Sequence, residues 1–244
     1  MPYYKNFADG VHIKENNVDL KNLLAMQDEF ESLRNKFILT FIPRTENIKV
    51  LEIGSGRGTF IDECVKIKEI EYFGIEPQEN LCQKLRDKGY NIQNLFVPPL
   101  PFENGTFNAV VHSHVLEHME SPRKAYEFIS ECGRVIKKNG VLIFRCPNAL
   151  SWGMDFWDID YTHSFVTTPT NIKQLLYDCG FKIEYFEEIS FFKPRHLGRL
   201  KYIVPTRNNY LNKLYPKISK FLGKFFKKDT ELIFVCKKNE NIIS

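Results

Sequence analysis

The sequence predicts an open, mostly parallel α/β sheet with helices on both faces. Three observations carry this. Short apolar runs alternate with amphipathic runs of helical spacing along the 244 residues. The first apolar run, KVLEIG at 49–54, ends in a glycine cluster that leads into a helix. The composition, 43% hydrophobic and 26% charged, is that of a globular chain and excludes disorder.

The elements follow in order. Residues 18–42 read as a helical cap, with Leu20, Leu23, Leu24, Met26, Phe30, Leu33, Phe37 and Ile38 near helical spacing. Pro43 and the polar residues after it end that pattern. The strand 49–54 is followed by a helix over 58–68, a strand over 71–76 and a helix over 78–89 that stops at Gly89. Strands are expected at 91–97, 107–113 and 140–146. Between the last two, 122–137 is an amphipathic helix with Ala125, Phe128, Ile129, Cys132 and Val135 on one face. A helix over 168–179 opens with Thr-Pro and stops before Gly180. Strands at 181–189 and 231–237 bring the sheet to seven.

Other classes are excluded. No apolar run approaches the roughly 20 residues of a membrane helix, and the start, MPYYKNFADGVHIKE, lacks a signal peptide's apolar core. The six cysteines show no paired ligand spacing, so neither a zinc site nor a disulfide framework is indicated. A reduced, cytoplasmic protein is expected. The net charge of +4 is unevenly spread. Residues 190–229 hold eleven Lys/Arg against Asp229 alone, a net +10, and the remainder carries 23 bases against 29 acids, a net −6. Such asymmetry speaks to partners, not to fold.

The richest motif is VLEIGSGRGTF, 50–60. Glycines at 54, 56 and 58 allow a tight turn and let a ligand approach the backbone at the carboxyl end of the sheet. The spacing is GxGxG, not the GxGxxG of dinucleotide sites, and Glu52 two residues earlier suits an ammonium-bearing ligand better than a pyrophosphate. A turn that binds nothing is the alternative. Glu76, at the end of the next strand, stands where nucleotide-binding sheets place an acid that accepts hydrogen bonds from ribose hydroxyls; an exposed acid after a strand is the plainer reading.

VLEIGSGRG (50–58), YFGIEP (72–77), LPFENGTFNAVVHSHVLEHM (100–119) and GVLIFRCPN (140–148) together resemble the class I S-adenosylmethionine-dependent methyltransferases. WDIDYTHSF (157–165) and LLYDCGF (175–181) are similar to stretches of the branch that includes ubiquinone-pathway and surface-polysaccharide methyltransferases. The resemblance covers about 45–190. It implies a single Rossmann-like domain: an N-terminal helical cap (1–45), a cofactor-binding core (46–189), a basic insert (190–229), and the last strand and tail (230–244). It implies S-adenosyl-L-methionine as cofactor. Gly54, Ser55, Gly56 and Gly58 would line its methionine and ribose part, with Glu52 near the amino group and Glu76, followed by Pro77, on the ribose. Ser113 and His114 would close over the methionine end. Family members often carry Asp four residues before the Leu of the LPF stretch; Phe96 stands here instead. Phe96 would stack on adenine, with Asn94 or backbone groups supplying the polar contact.

Methyl transfer from a sulfonium requires alignment of acceptor, methyl and sulfur and exclusion of water. A sugar hydroxyl gains in addition from a general base. His163, in the loop after the fifth long strand, is the leading candidate, with Asp160 close enough in sequence to orient it; a residue that bonds backbone or caps the next helix is the alternative. His118, in VLEHM, is a second candidate, or anchors the start of its helix. Asp155, Asp158, Asp160 and His163 fit no standard metal loop, and no metal site is expected. Trp152, Trp157 and Tyr161 would stack on a sugar or simply pack, Asn148 would line the pocket mouth, and Arg34 in the cap would pair with the methionine carboxylate or serve structure.

Within 211–228, Leu211, Leu214, Tyr215, Ile218, Leu222, Phe225 and Phe226 follow helical spacing opposite a lysine-rich face. Packing on its own domain, peripheral contact with the inner face of a membrane, and attraction of a phosphorylated or nucleotide-linked acceptor all fit that helix. No nucleic-acid-reading motif accompanies the charge. The functional expectation is methyl transfer to an oxygen of a carbohydrate or phosphoryl-bearing intermediate in surface-polysaccharide (capsule or O-antigen) biosynthesis. The alternatives are a quinone-precursor methyltransferase, an NAD-dependent oxidoreductase and a non-catalytic methyltransferase-like subunit.

Overall fold

The structure is a computed structural model and describes residues 31–194 and 226–238. After a helix over 31–39 (α1), the order is β1 (Ile48–Ile53), α2 (Ile61–Cys64), β2 (Ile70–Ile75), α3 (Glu79–Asp87), β3 (Ile92–Gln93) and β4 (Phe107–Ser113). A 3-10 turn (Leu116–His118), α4 (Pro122–Val135), β5 (Ile136–Pro147), α5 (Ala149–Trp152), α6 (Asp155–Asp158), α7 (Pro169–Asp178), β6 (Phe181–Pro194) and β7 (Phe226–Lys238) complete it.

The seven strands form one sheet in the order β3-β2-β1-β4-β5-β7-β6. β3, β2, β1, β4 and β5 pair in parallel, and β7 runs antiparallel to both neighbours. Alternation along the strands divides the core. Leu51, Val110, Leu142 and Phe144 face α4 and α7, where Phe128, Ile129, Ile172 and Leu176 cover them. Val50, Ala109, Val111, Val141 and Ile143 face the other way, under Ile38, Ile61, Cys82 and Leu85 from α1 to α3. Each fully buried large apolar side chain contributes about 1.5–3 kcal/mol, and both faces are filled. His112 sits in this core, stacked on Phe144 with ring centroids 4.7 Å apart. Burial pushes its pKa down to about 3, so the ring is a neutral aromatic filler.

The caps follow the sequence signals. Ser121 Oγ accepts from Lys124 N ahead of Pro122, and Thr168 Oγ1 accepts from Asn171 N ahead of Pro169. Gly180 then turns the chain with φ +75°.

Several predicted boundaries differ. The helix expected over 58–68 is only Ile61–Cys64, because Gly58 holds a left-handed φ of +86° and the bonds Lys66 N to Glu63 O and Ile67 N to Cys64 O tighten the chain into turns. The strand expected over 91–97 shrinks to Ile92–Gln93, since its neighbour β2 ends at Ile75 and offers no further partner. β5 starts four residues earlier than expected, joining Phe107 through an irregular register at Ile136. The largest difference is at β6 and β7, which pair as far as Pro194 and Phe226. Both ends of the predicted insert are therefore ladder. Residues 226–228 are strand, not the end of the predicted helix, and the rest of that helix lies outside the described residues. Among the described residues no helix is long and apolar enough to cross a membrane.

Candidate active site

In this strand order β1 runs beside both β2 and β4, and the chain's direction of travel across the sheet reverses between β1 and β4. Open α/β sheets place their ligands in the crevice at that point, at the carboxyl ends of the strands. The glycine turn lies there. Gly54, Gly56 and Gly58 have φ of +77°, +53° and +86°. Gly54 N and Ser55 N both bond Ile75 O, at 2.8 and 3.1 Å, which ties the turn to the end of β2. A Cβ on Gly54 would lie 2.6 Å from Val115, and one on Gly58 2.6 Å from Leu85. A Cβ on Gly56 would meet nothing nearer than Gly54 O at 3.9 Å. Packing thus requires two of the glycines, and the third borders open space.

Two acids back the turn. Glu76 is buried; its Oε2 accepts from Gly56 N at 2.7 Å and its Oε1 from Gln78 N at 2.8 Å. Burial pushes its pKa up, and those two N–H groups hold it back. Glu52 lies beneath the turn and accepts a hydrogen bond from the Tyr72 hydroxyl, which sits 2.9 Å from Ser55 Oγ. Burial pushes Glu52 up to about 8 against the pull of Tyr72, so it holds a proton at neutral pH. Sequence reading missed Tyr72 and Gly74. A Cβ on Gly74 would come within 2.7 Å of Ser55 Oγ and 2.9 Å of Tyr72 Oη. A glycine inside an apolar strand was the available signal of such a close approach. Asn94 Nδ2 donates to Glu76 O at 2.9 Å, Pro77 is half-buried, and Phe96 is exposed.

Across the crevice, β4 ends at Ser113 and His114 takes a φ of +55°. His114 Nδ1 lies 3.2 Å from Glu117 Oε1, and its Nε2 3.3 Å from Glu231 Oε1. Desolvation opposes the imidazolium, but the two carboxylates more than offset it and push His114 up to about 10. Arg145 extends the network: Nη2 to Glu31 at 2.8 Å, Nη1 to Glu231 at 3.5 Å, and Nε donating to Ser113 Oγ at 3.2 Å. Burial works against Glu231 too, yet His114 and Arg145 hold it down to about 2. Arg34 pairs with Glu31, so it joins this same network. Glu31, Glu117, Arg145 and Glu231 were not foreseen. Charges inside the apolar runs GVLIFRC and ELIFVCK were the signal for Arg145 and Glu231.

The structure brings His118 and His163 together, with ring centroids 4.9 Å apart. Glu117 O accepts from both Ser164 N and Phe165 N, which pins the loop bearing His163 to the 3-10 turn bearing His118. His163 Nδ1 bonds Phe156 O. Asp160 does not take that nitrogen. Its Oδ1 accepts from Thr162 N and Thr162 Oγ1, and Thr162 Oγ1 lies 2.8 Å from His118 Nδ1. Asp160 therefore orients His118 through Thr162. His118 closes the 3-10 turn Leu116–His118, and Ser121 caps the helix that follows. Asn148 caps α5 through Leu150 N and donates to Glu188, and Trp152 Nε1 donates to Thr230 O. Asp155 and Asp158 lie on α6, while Trp157 and Tyr161 are exposed nearby.

Residues 25–185, more than half of the chain, match the methyltransferase-domain family. A Mycobacterium tuberculosis protein described as a probable S-adenosylmethionine-dependent methyltransferase is 29% identical over 147 residues, 57% of this chain and 50% of that one. The chain thus spans about half the length of that relative. An uncharacterised protein of Methanocaldococcus jannaschii is 26% identical over 219 residues, 88% of this chain and 89% of that one. Among solved structures, an Archaeoglobus fulgidus SAM-dependent methyltransferase has the same fold, with a TM-score of 0.63 at 21% identity, covering 86% of this chain and 94% of that one. With its seven-stranded sheet, its glycine turn at the switch point and the match over 25–185, the chain belongs to the methyltransferase-domain family.

Proposed function

We propose that the chain transfers a methyl group from S-adenosylmethionine to an oxygen of a carbohydrate or phosphoryl-bearing intermediate of surface-polysaccharide biosynthesis. The observation that carries the cofactor is the glycine turn at the β1–β4 crevice, open at Gly56 and backed by Glu76. These residues fit the cofactor: the missing Cβ leaves room for its methionine and ribose, and the lone pairs of Glu76 accept from ribose hydroxyls. Bound there, the cofactor supplies an electrophilic methyl on a sulfonium. Ser113 and His114, at the end of β4, flank the methionine side.

On the acceptor side, His163 carries its proton on Nδ1, because a carbonyl oxygen only accepts. Nε2 therefore holds the lone pair of a general base, from which a sugar hydroxyl gains. The Asp160–His163 stretch and the excess of cation in 190–229 support a glycan or phosphorylated acceptor.

Calorimetry with S-adenosylhomocysteine and with NAD tests the cofactor. Tight binding of the first alone is expected, and binding of NAD alone would sink the reading. Labelled cofactor with a panel of nucleotide sugars and lipid-linked glycans tests the acceptor, the expected product being an O-methyl sugar. His163→Asn is expected to lower kcat by about 10²–10⁴ with S-adenosylhomocysteine affinity unchanged.

A further inference from the structure

We propose that Glu117, His118 and His163 form a site for one divalent transition-metal ion, of the Zn²⁺ or Mn²⁺ class, that holds the acceptor oxygen. One ligand atom from each of the three lies within 4.8 Å of the others. Glu117 and His163 are buried and His118 is half-buried. A metal at about 2 Å from each ligand would draw them together by up to roughly a further 1.5 Å.

The hydrogen bonds fix both imidazoles in the tautomer a metal requires. His163 Nδ1 donates to Phe156 O. Thr162 Oγ1 spends its own proton on Asp160, so it accepts from His118 Nδ1. Each ring therefore carries its lone pair on Nε2. A metal-binding histidine has the same arrangement, its other nitrogen donating to a carbonyl or, here through a hydroxyl, to a carboxylate. Glu117 supplies the independent observation. Its side chain is wholly buried, and among the described residues neither carboxylate oxygen takes a hydrogen bond; its one ion pair is with His114, on Oε1. His114 already offsets the charge at Oε1, so the buried Oε2, which takes no hydrogen bond among the described residues, is the atom left to meet a metal. The backbone bonds from Ser164 and Phe165 to Glu117 O hold the two ligand-bearing segments in place without metal.

The donor set selects the ion. Two imidazoles and one carboxylate suit Zn²⁺, Mn²⁺ or Fe²⁺, whereas Mg²⁺ and Ca²⁺ take oxygen shells. Three protein ligands leave a position for water or an acceptor oxygen, the pattern of catalytic rather than structural sites. The metal's role toward the acceptor rests on the methyl-transfer reading; the binding itself does not. In the loaded protein His163 is a ligand and no longer a base. The acceptor hydroxyl loses its proton to solvent because the cation lowers its pKa.

The test titrates Zn²⁺ and, separately, Mg²⁺ into the full chain, stripped with chelator and saturated with S-adenosylhomocysteine, by calorimetry and elemental analysis. One Zn²⁺ per chain is expected, with Mg²⁺ at least about 100-fold weaker. His163→Ala and His118→Ala should each weaken Zn²⁺ by about 100-fold or more, and Thr162→Val by about 10–100-fold. S-adenosylhomocysteine affinity should hold within about twofold in all three. Thr162→Val serves if an alanine variant fails to fold, as judged by its thermal melt. Zn²⁺ uptake equal in wild type and Thr162→Val, or no saturable uptake by a chain that binds S-adenosylhomocysteine, overturns the site. Failure to bind S-adenosylhomocysteine would instead overturn the methyltransferase reading, whatever the metal does.

Discussion

Glu52 and Glu231 are both buried where the central strands end, on opposite sides of the crevice, and their surroundings push them in opposite directions. Glu52 has a phenol and a hydroxyl for company, and burial carries it up to about 8. Glu231 is buried as well, but His114 and Arg145 hold it down to about 2. One wall of the crevice is thus built from backbone conformation and a neutral acid, and the other from a charged network of long-range pairs. Burial alone does not set the protonation state of an acid; the nearest cation does.

The largest effect should come from breaking the charged side. Arg145→Met takes the cation that the partly buried Glu31 and the buried Glu231 share, leaving Arg34 and His114 to compensate in part, and a loss of up to about 3–5 kcal/mol in urea unfolding is expected. Adding Glu231→Gln should recover part of it, whereas additivity of the two substitutions would show that the pair is not coupled.

Next comes the neutral acid. Below about pH 4.5, Glu52 is protonated in the folded and the unfolded chain alike and costs nothing. As pH rises toward 8, the unfolded chain releases a proton that the folded chain keeps, so stability falls, by on the order of a few kcal/mol. Glu52→Gln should remove that decline, seen as a flatter melting temperature between pH 4.5 and 8; an unchanged profile would mean that Glu52 is ionised. The charged side behaves in the opposite way in acid. The contribution of Glu231 is present above about pH 4.5 and is lost as pH falls toward 2. That of His114 is full below about pH 6.5 and is lost as pH rises through 10.

Third, Gly56→Val places a side chain in open space at a left-handed φ, and should cost only about 1–2 kcal/mol of stability while abolishing S-adenosylhomocysteine binding. Gly58→Val, driven against Leu85, should lose more stability than Gly56→Val. Equal losses at 56 and 58 would blur the line between the packing glycines and the open one. The smallest effect is expected at Thr168→Ala, which removes the α7 cap for about 1 kcal/mol and should leave cofactor binding untouched.

What was legible followed the range of the interaction. The strand at 49–54, the caps Ser121 and Thr168, the stop at Gly180 and the glycine turn are local, spanning a few residues each, and their patterns stand in the sequence. The shortening of β3 and the lengthening of β6 and β7 depend on which neighbour is present to pair, which no local pattern encodes. The amphipathic pattern that reads as a helix to 228 gives way at 226–228 because β6 supplies a ladder partner.

The same holds at the site. The sequence by itself determined the sheet, the cofactor turn and the presence of His118 and His163, because period, glycine spacing and caps act over one turn or one strand. Only the tertiary structure decided that Asp160 serves His118 through Thr162, that His118 meets His163 across 45 positions, and that Glu231 closes on His114 and Arg145. Those contacts join segments far apart in sequence that meet only when the sheet sets the ends of β4 and β5 beside Glu231 of β7, so their charges and proton positions are properties of the assembled crevice.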